Sequence, residues 1–149
     1  MRTAYRSFAA LFAAAALSLL SIPASTTPAA ARGEFAPYHG DVSPGTIIVR
    51  TEERRLYLVL GQGRALVYPV GVGRAGMQWS GHAFIESKRI RPAWGPPPEI
   101  KRENPNLPDV IPGGAPNNPM GVAALVLNGD KYAIHGTNNP NSIGHFASH

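Results

Sequence analysis

Glycine and proline recur so often along this chain that a predominantly helical fold is a poor fit to it. The 149 residues hold 16 glycines and 15 prolines. Each proline removes a backbone donor, and each glycine adds chain entropy that a helix must overcome. Short strands joined by turns suit such a chain far better. At 44% hydrophobic and 15% charged it keeps enough apolar content for a packed core, which argues against disorder. Its length suits one modest domain preceded by a leader. The expected class is mainly β, with long loops.

Arg2 and Arg6 flank an apolar run from Phe8 to Ile22, and Ala29-Ala30-Ala31 fits a small-residue cleavage site. Residues 1–31 therefore read as a secretory signal peptide. The rival, a membrane anchor, needs roughly 20 apolar residues to span, and this run is shorter and alanine-rich. Residues 32–45, with Pro37, Gly40, Pro44 and Gly45 and little periodicity, read as a linker, and 46–149 as the folded domain.

From Thr46 the pattern becomes strand-like. Thr46 to Val49 and Leu56 to Leu60, split by a charged turn at Glu52-Glu53-Arg54, predict a hairpin. Gly61-Gln62-Gly63 turns the chain into a third strand, Ala65 to Gly73, in which Pro69 implies an edge or a bulge. A further strand is expected after Gly81. Lys101 to Asn118 carries four prolines and Gly113-Gly114, too many breakers for a regular element, and loops of that length tend to serve as lids or binding loops. Val122 to Leu127 is continuously apolar and Asn128-Gly129 is a strong two-residue hairpin signal, so the returning Lys131 to Ile134 should form a buried hairpin that presents His135 at its exit. A polar loop follows, and Ser148-His149 are the last two residues.

These short words together resemble a known family. Val70-Gly71-Val72-Gly73, Pro92-Ala93-Trp94, Asn118-Pro119-Met120-Gly121, His135-Gly136-Thr137, Ser142-Ile143-Gly144 and Ser148-His149 are similar to the pattern of the YkuD-type L,D-transpeptidases, cysteine enzymes that cross-link bacterial peptidoglycan. In that family Ser-His is followed by Gly and the catalytic Cys. The family's Thr-Pro, in Thr-Pro-x-Gly before the Gly81 strand, is replaced here by Gln78-Trp79. The resemblance covers about Thr46 to His149. It implies a YkuD-like β-sandwich or mixed-sheet domain, incomplete at its C-terminus just before the nucleophile.

What the resemblance implies for chemistry follows residue by residue. His135 matches the general base, and His149, beside the missing thiol, an orienting residue. Gly136 matches the residue whose backbone helps orient the site, Thr137 a nearby polar wall, and Ser148 the residue that with His149 leads into Gly-Cys, all three counted with the substrate-binding residues; Trp94 beside its prolines would pack in the core or line a substrate groove. The implied reaction is a transferase step without cofactor or metal. The bond before the terminal D-Ala of a peptidoglycan stem peptide is attacked, an acyl-enzyme forms, and an amine resolves it. The chain has no cysteine, so as given it is expected to be inactive. Two other readings stay open: a non-catalytic wall-binding domain, and a metal site of His135, His145 and His149, against which Gly144 and the Asn/Pro loop argue. Export to the periplasm or cell wall is expected. Arg2 and Arg6 lie in the leader, which leaves a formal net charge of +3 from the whole chain's +5. That excess suits a polyanionic wall, and no aromatic-interleaved basic stripe points to nucleic acid.

Overall fold

The computed structural model describes residues 32–129 and 131–148. The leader reading of residues 1–31 and the place of His149 lie outside the described residues. Three sheets carry the domain, and the expectation of a mainly β protein holds.

The first sheet has the order β1-β4-β3-β2. Strand β2 is Ile47–Arg50 and β3 is Arg55–Gly61, paired antiparallel as the hairpin pattern predicts, with Arg50 opposite Arg55. Strand β4, Arg64–Pro69, lies against β3. Their branched and aliphatic residues supply half the core: Leu56, Val59, Ala65 and Val67 are buried. The linker expectation fails for Glu34–Pro37, which form strand β1 along the open side of β4. The chain there has no apolar alternation, and Phe35 is 72% exposed. An edge strand held by backbone pairing needs no side-chain pattern. The long third strand also divides. Pro69 ends β4 beyond the reach of β1, whose pairing stops at Val67, and the chain resumes as β5, Val72–Gly73.

The second sheet has the order β6-β7-β8, with β6 Ile85–Ile90, β7 Ala123–Leu127 and β8 Ala133–His135. Only one face of β7 is sealed, through Ala124 and Val126, so the apolar run is half-covered rather than fully buried. The Asn128-Gly129 hairpin is wider than two residues: the backbone N–H of Leu127 donates to Tyr132 O, leaving residues 128–131 as the loop. Asn128 is drawn away from a tight turn because it pairs with Phe84, its Oδ1 accepting from Phe84 N at 2.7 Å and its backbone N–H donating to Phe84 O at 2.9 Å. The breaker-rich segment Lys101 to Asn118 begins inside a short helix, whose first half precedes it. Helix α1, Pro98–Glu103, starts with proline at its first position, where a missing donor costs nothing. Lys101 Nζ then ties the helix to Leu107 O and Asp109.

The third sheet is a single parallel pairing of β5 with β9, Phe146–Ser148. Among the described residues no helix is long and apolar enough to cross a membrane.

Candidate functional site

His135 is the last residue of β8, opposite Ala124, and its side chain is exposed. What fixes it is a crossing of two backbone segments. The Gly136 N–H donates to Ala123 O at 2.9 Å, and Gly121 lies directly on Gly136-Thr137. A Cβ on Gly121 would stand 2.6 Å from Thr137 N, and Gly121 has φ +64, a conformation that side-chain-bearing residues adopt at a cost. A Cβ on Gly136 would stand 3.2 Å from Met120 O. The glycines of Asn-Pro-Met-Gly and His-Gly-Thr are thus one contact, made by two words 15 residues apart in sequence.

Asn118 holds the other side of that crossing. It is the one buried polar residue among those described, 1% exposed. Its Nδ2 donates to Pro92 O at 2.9 Å, Pro112 O at 3.0 Å and Ile111 O at 3.3 Å, while its Oδ1 accepts from Met120 N at 2.8 Å. One amide therefore gathers the Pro-Ala-Trp segment, the long loop and the turn into Gly121. Sequence reasoning placed a turn here but missed this hub. The signal was present, since an asparagine in an apolar, proline-rich setting must find partners if it is buried.

The His135 ring is oriented by the residue after it. Nδ1 lies 2.6 Å from Gly136 O. A carbonyl can only accept, so Nδ1 carries the proton in this contact, and in the neutral ring Nε2 keeps its lone pair.

Beyond Gly136 the loop is self-bonded. Thr137 Oγ1 accepts from Asn139 N at 3.0 Å and lies 3.4 Å from Ser142 Oγ, which donates to Asn139 O at 2.7 Å. Thr137 is half-buried with its hydroxyl engaged in the loop, so its visible task is to shape the chain after His135. Asn138 Nδ2 donates to Pro116 O, linking this loop to the long one. The turn Pro140–Ser142 packs on Gly71, where a Cβ would stand 3.0 Å from Ser142 O. That close approach lets Val72 N donate to His145 O at 3.0 Å and starts the β5–β9 pairing, which ends with Ser148 opposite Gly73. The Gly-Val-Gly word and the chain's last strand are therefore coupled. Ser148 is the last residue of β9.

Trp94 is half-buried and forms a two-way backbone bridge with Ile111, N to O at 2.9 Å and O to N at 2.7 Å. Through Asn118 it is joined to the same scaffold as the glycine crossing. His145 is exposed. Electrostatic perturbation appears elsewhere, on the β2–β3 turn. The Tyr57 hydroxyl, followed by Arg50, holds the Glu53 carboxyl below its ordinary value, and the same hydrogen bond raises the Tyr57 phenol. A cleft of about 360 Å³ beside that turn shares no residue with the His135 segment, so it does not mark this site.

A family model described as the L,D-transpeptidase catalytic domain, YkuD, matches residues 44–149. The chain belongs to the YkuD family of L,D-transpeptidase catalytic domains. It is 38% identical over 105 residues to "Probable L,D-transpeptidase ErfK/SrfK" of Escherichia coli (strain K12), covering 66% of this chain and 33% of that protein. It is 37% identical over 116 residues to "Probable L,D-transpeptidase YbiS" of the same organism, covering 72% and 37%. The chain thus spans about a third of the length of these curated relatives. A crystal structure from Brucella melitensis, of "a Probable carnitine operon oxidoreductase caia", superposes with a TM-score of 0.63 at 36% identity, over 76% of this chain and 73% of that one.

Proposed function

We propose that this domain presents the general base of a peptidoglycan L,D-transpeptidase. The observation that carries the proposal is the 2.6 Å contact of His135 Nδ1 with Gly136 O at the exit of β8, which leaves Nε2 as the proton acceptor. In the proposed reaction a cysteine thiol gives its proton to His135 Nε2, and the sulfur attacks the carbonyl before the terminal D-Ala of a stem tetrapeptide. His135 returns the proton to the departing D-Ala amine. An acceptor amine then displaces the sulfur and forms the new amide. His149 would orient the thiol, with Gly136, Thr137 and Ser148 around it, and Trp94 would wall the stem groove. No cofactor enters the scheme. The leader at 1–31 would export the protein to the periplasm or wall, with cleavage near Ala31.

These 149 residues contain no cysteine. They are therefore expected to release no D-Ala from a disaccharide-tetrapeptide, while the same chain carrying Gly-Cys and the family's following residues after His149 should do so. In that longer chain His135→Ala should lower the rate by about 10²–10⁴, the usual worth of a positioned general base, with a smaller loss for His149→Ala and little for His145→Ala. Turnover by the 149 residues alone would overturn the cysteine mechanism. A longer chain that is inert but retains stem peptide would favour a non-catalytic wall-binding domain.

A further inference from the structure

The end of β1 and the β2–β3 hairpin flank the open cleft of about 360 Å³, lined by Pro37, Tyr38, His39, Gly40, Arg50 and Tyr57. Residues 37–40 precede the residues that match the family model, 44–149, while Arg50 and Tyr57 lie within them. Its size is that of pockets that hold a small ligand.

The wall is pre-arranged. Tyr38 N donates to Gly63 O at 2.8 Å, which continues the β1 pairing past its proline, and the Tyr38 ring lies against Gly40. The rings of Tyr38 and Tyr57 are 6.3 Å apart and inclined at 47°, which makes a corner rather than a flat shelf. Arg50 lies over the Tyr57 ring, 5.4 Å from its centre. Glu53 fixes both: it accepts from Arg50 Nη1 at 2.9 Å and from the Tyr57 hydroxyl at 2.5 Å. The carboxylate cancels the guanidinium charge while occupying one of its five N–H donors in this contact. Arg55 also reaches the Tyr57 hydroxyl, so the surroundings keep a positive charge, but at the cleft itself Arg50 is already engaged by Glu53, and the lining is aromatic on two sides with planar donors. A phosphate or carboxylate would have to compete with Glu53 for Arg50. A neutral polyol would not.

We propose that this cleft binds a neutral saccharide, a pyranose ring whose C–H face rests in the Tyr38–Tyr57 corner and whose hydroxyls meet Arg50 and His39. Aromatic faces carry negative potential and attract the weakly positive C–H groups of a sugar face. Arg50 offers its remaining donors to adjacent hydroxyl oxygens. The site needs neither a cysteine nor turnover, so it stands or falls apart from the His135 chemistry.

The test is an amide NMR titration of the 149-residue chain with two neutral tetrasaccharides, the β-1,4-linked N-acetylglucosamine tetramer and maltotetraose, and separately with inorganic phosphate. Saturable shifts confined to Tyr38, His39, Gly40, Arg50 and Tyr57 are expected with at least one sugar and not with phosphate. Tyr38→Ala, which lies past the end of β1, and Arg50→Ala, on the exposed turn side, should each weaken binding at least tenfold with the rest of the spectrum unchanged. The proposal is overturned if neither sugar shifts these signals, if Tyr38→Ala and Arg50→Ala bind like the parent, or if phosphate produces the same shifts and shows an anion site.

Discussion

The four-stranded sheet and the His135 corner are held together by different means. In the sheet, Leu56, Val59, Ala65 and Val67 are buried between strands paired along most of their length. In the corner, backbone lies on backbone: Gly121 on Gly136-Thr137, Gly71 on Ser142, with the Asn118 amide binding three carbonyls between them. A sheet of this kind accepts many apolar residues of similar volume. A corner built from glycine contacts does not accept a methyl group. The difference explains why the first region reads in sequence as a pattern and the second as fixed words.

The largest effect that would sharpen the contrast is at the crossing. Gly121→Val must hold a left-handed backbone and place its Cβ within 2.6 Å of Thr137 N, a combined strain and overpacking cost of about 2–6 kcal/mol. Denaturant unfolding should show that loss, together with displaced amide signals for His135 to Thr137. Leu56→Ala should cost a comparable 2–5 kcal/mol, roughly the value for a buried leucine, yet leave those signals in place. If Leu56→Ala moves the His135 corner as much as Gly121→Val does, the two regions are not built independently.

Asn118→Ala comes next. It removes the partner of the half-buried Met120 N–H and of the Pro92 carbonyl, whereas Ile111 O keeps Trp94 N and Pro112 O keeps Ala115 N; a group left without a partner costs about 1–3 kcal/mol. Amide hydrogen exchange should speed up at Ala93, Trp94, Ile111 and Met120 before it does in β3 or β4. Uniform acceleration across both sheets would contradict a local hub.

The smallest effect belongs to the exposed cluster on the β2–β3 turn. Tyr57 and Arg50 depress the Glu53 carboxyl, so its contribution to stability is present above the ordinary carboxylate range and is lost as pH falls through the lowered value. Tyr57, raised by Glu53, contributes below the ordinary phenol range and loses that as pH rises past its raised value. Glu53→Gln should flatten the acid side of the stability profile slightly and leave the His135 corner untouched; an unchanged acid limb would remove Glu53 from the account.

Much of this was legible beforehand, for reasons that differ by residue. The β2–β3 hairpin followed from branched and aromatic residues around a charged turn, and the site segment from identity-specific words such as His135-Gly136-Thr137. Strand β1 was not legible, because Glu34–Pro37 are held by the backbone of β4 and bury little of their own. The helix Pro98–Glu103 was hidden by its prolines, although one of them begins it. The hairpin loop ran long because Asn128 is engaged by Phe84, 44 residues earlier, a tertiary partner that overrides a local turn signal. The link between Gly121 and Gly136 could not be seen either, since neither glycine announces which strand it will touch.

In the proposed function His135 takes the proton through Nε2, because its Nδ1 is held by Gly136 O. Nitrogen-15 NMR of the imidazole in the 149-residue chain, at a pH where the ring is neutral, measures that directly. The account predicts a proton on Nδ1, bonded to Gly136 O, and a bare Nε2. A ring protonated on Nε2, or one exchanging freely between the two tautomers, would contradict it.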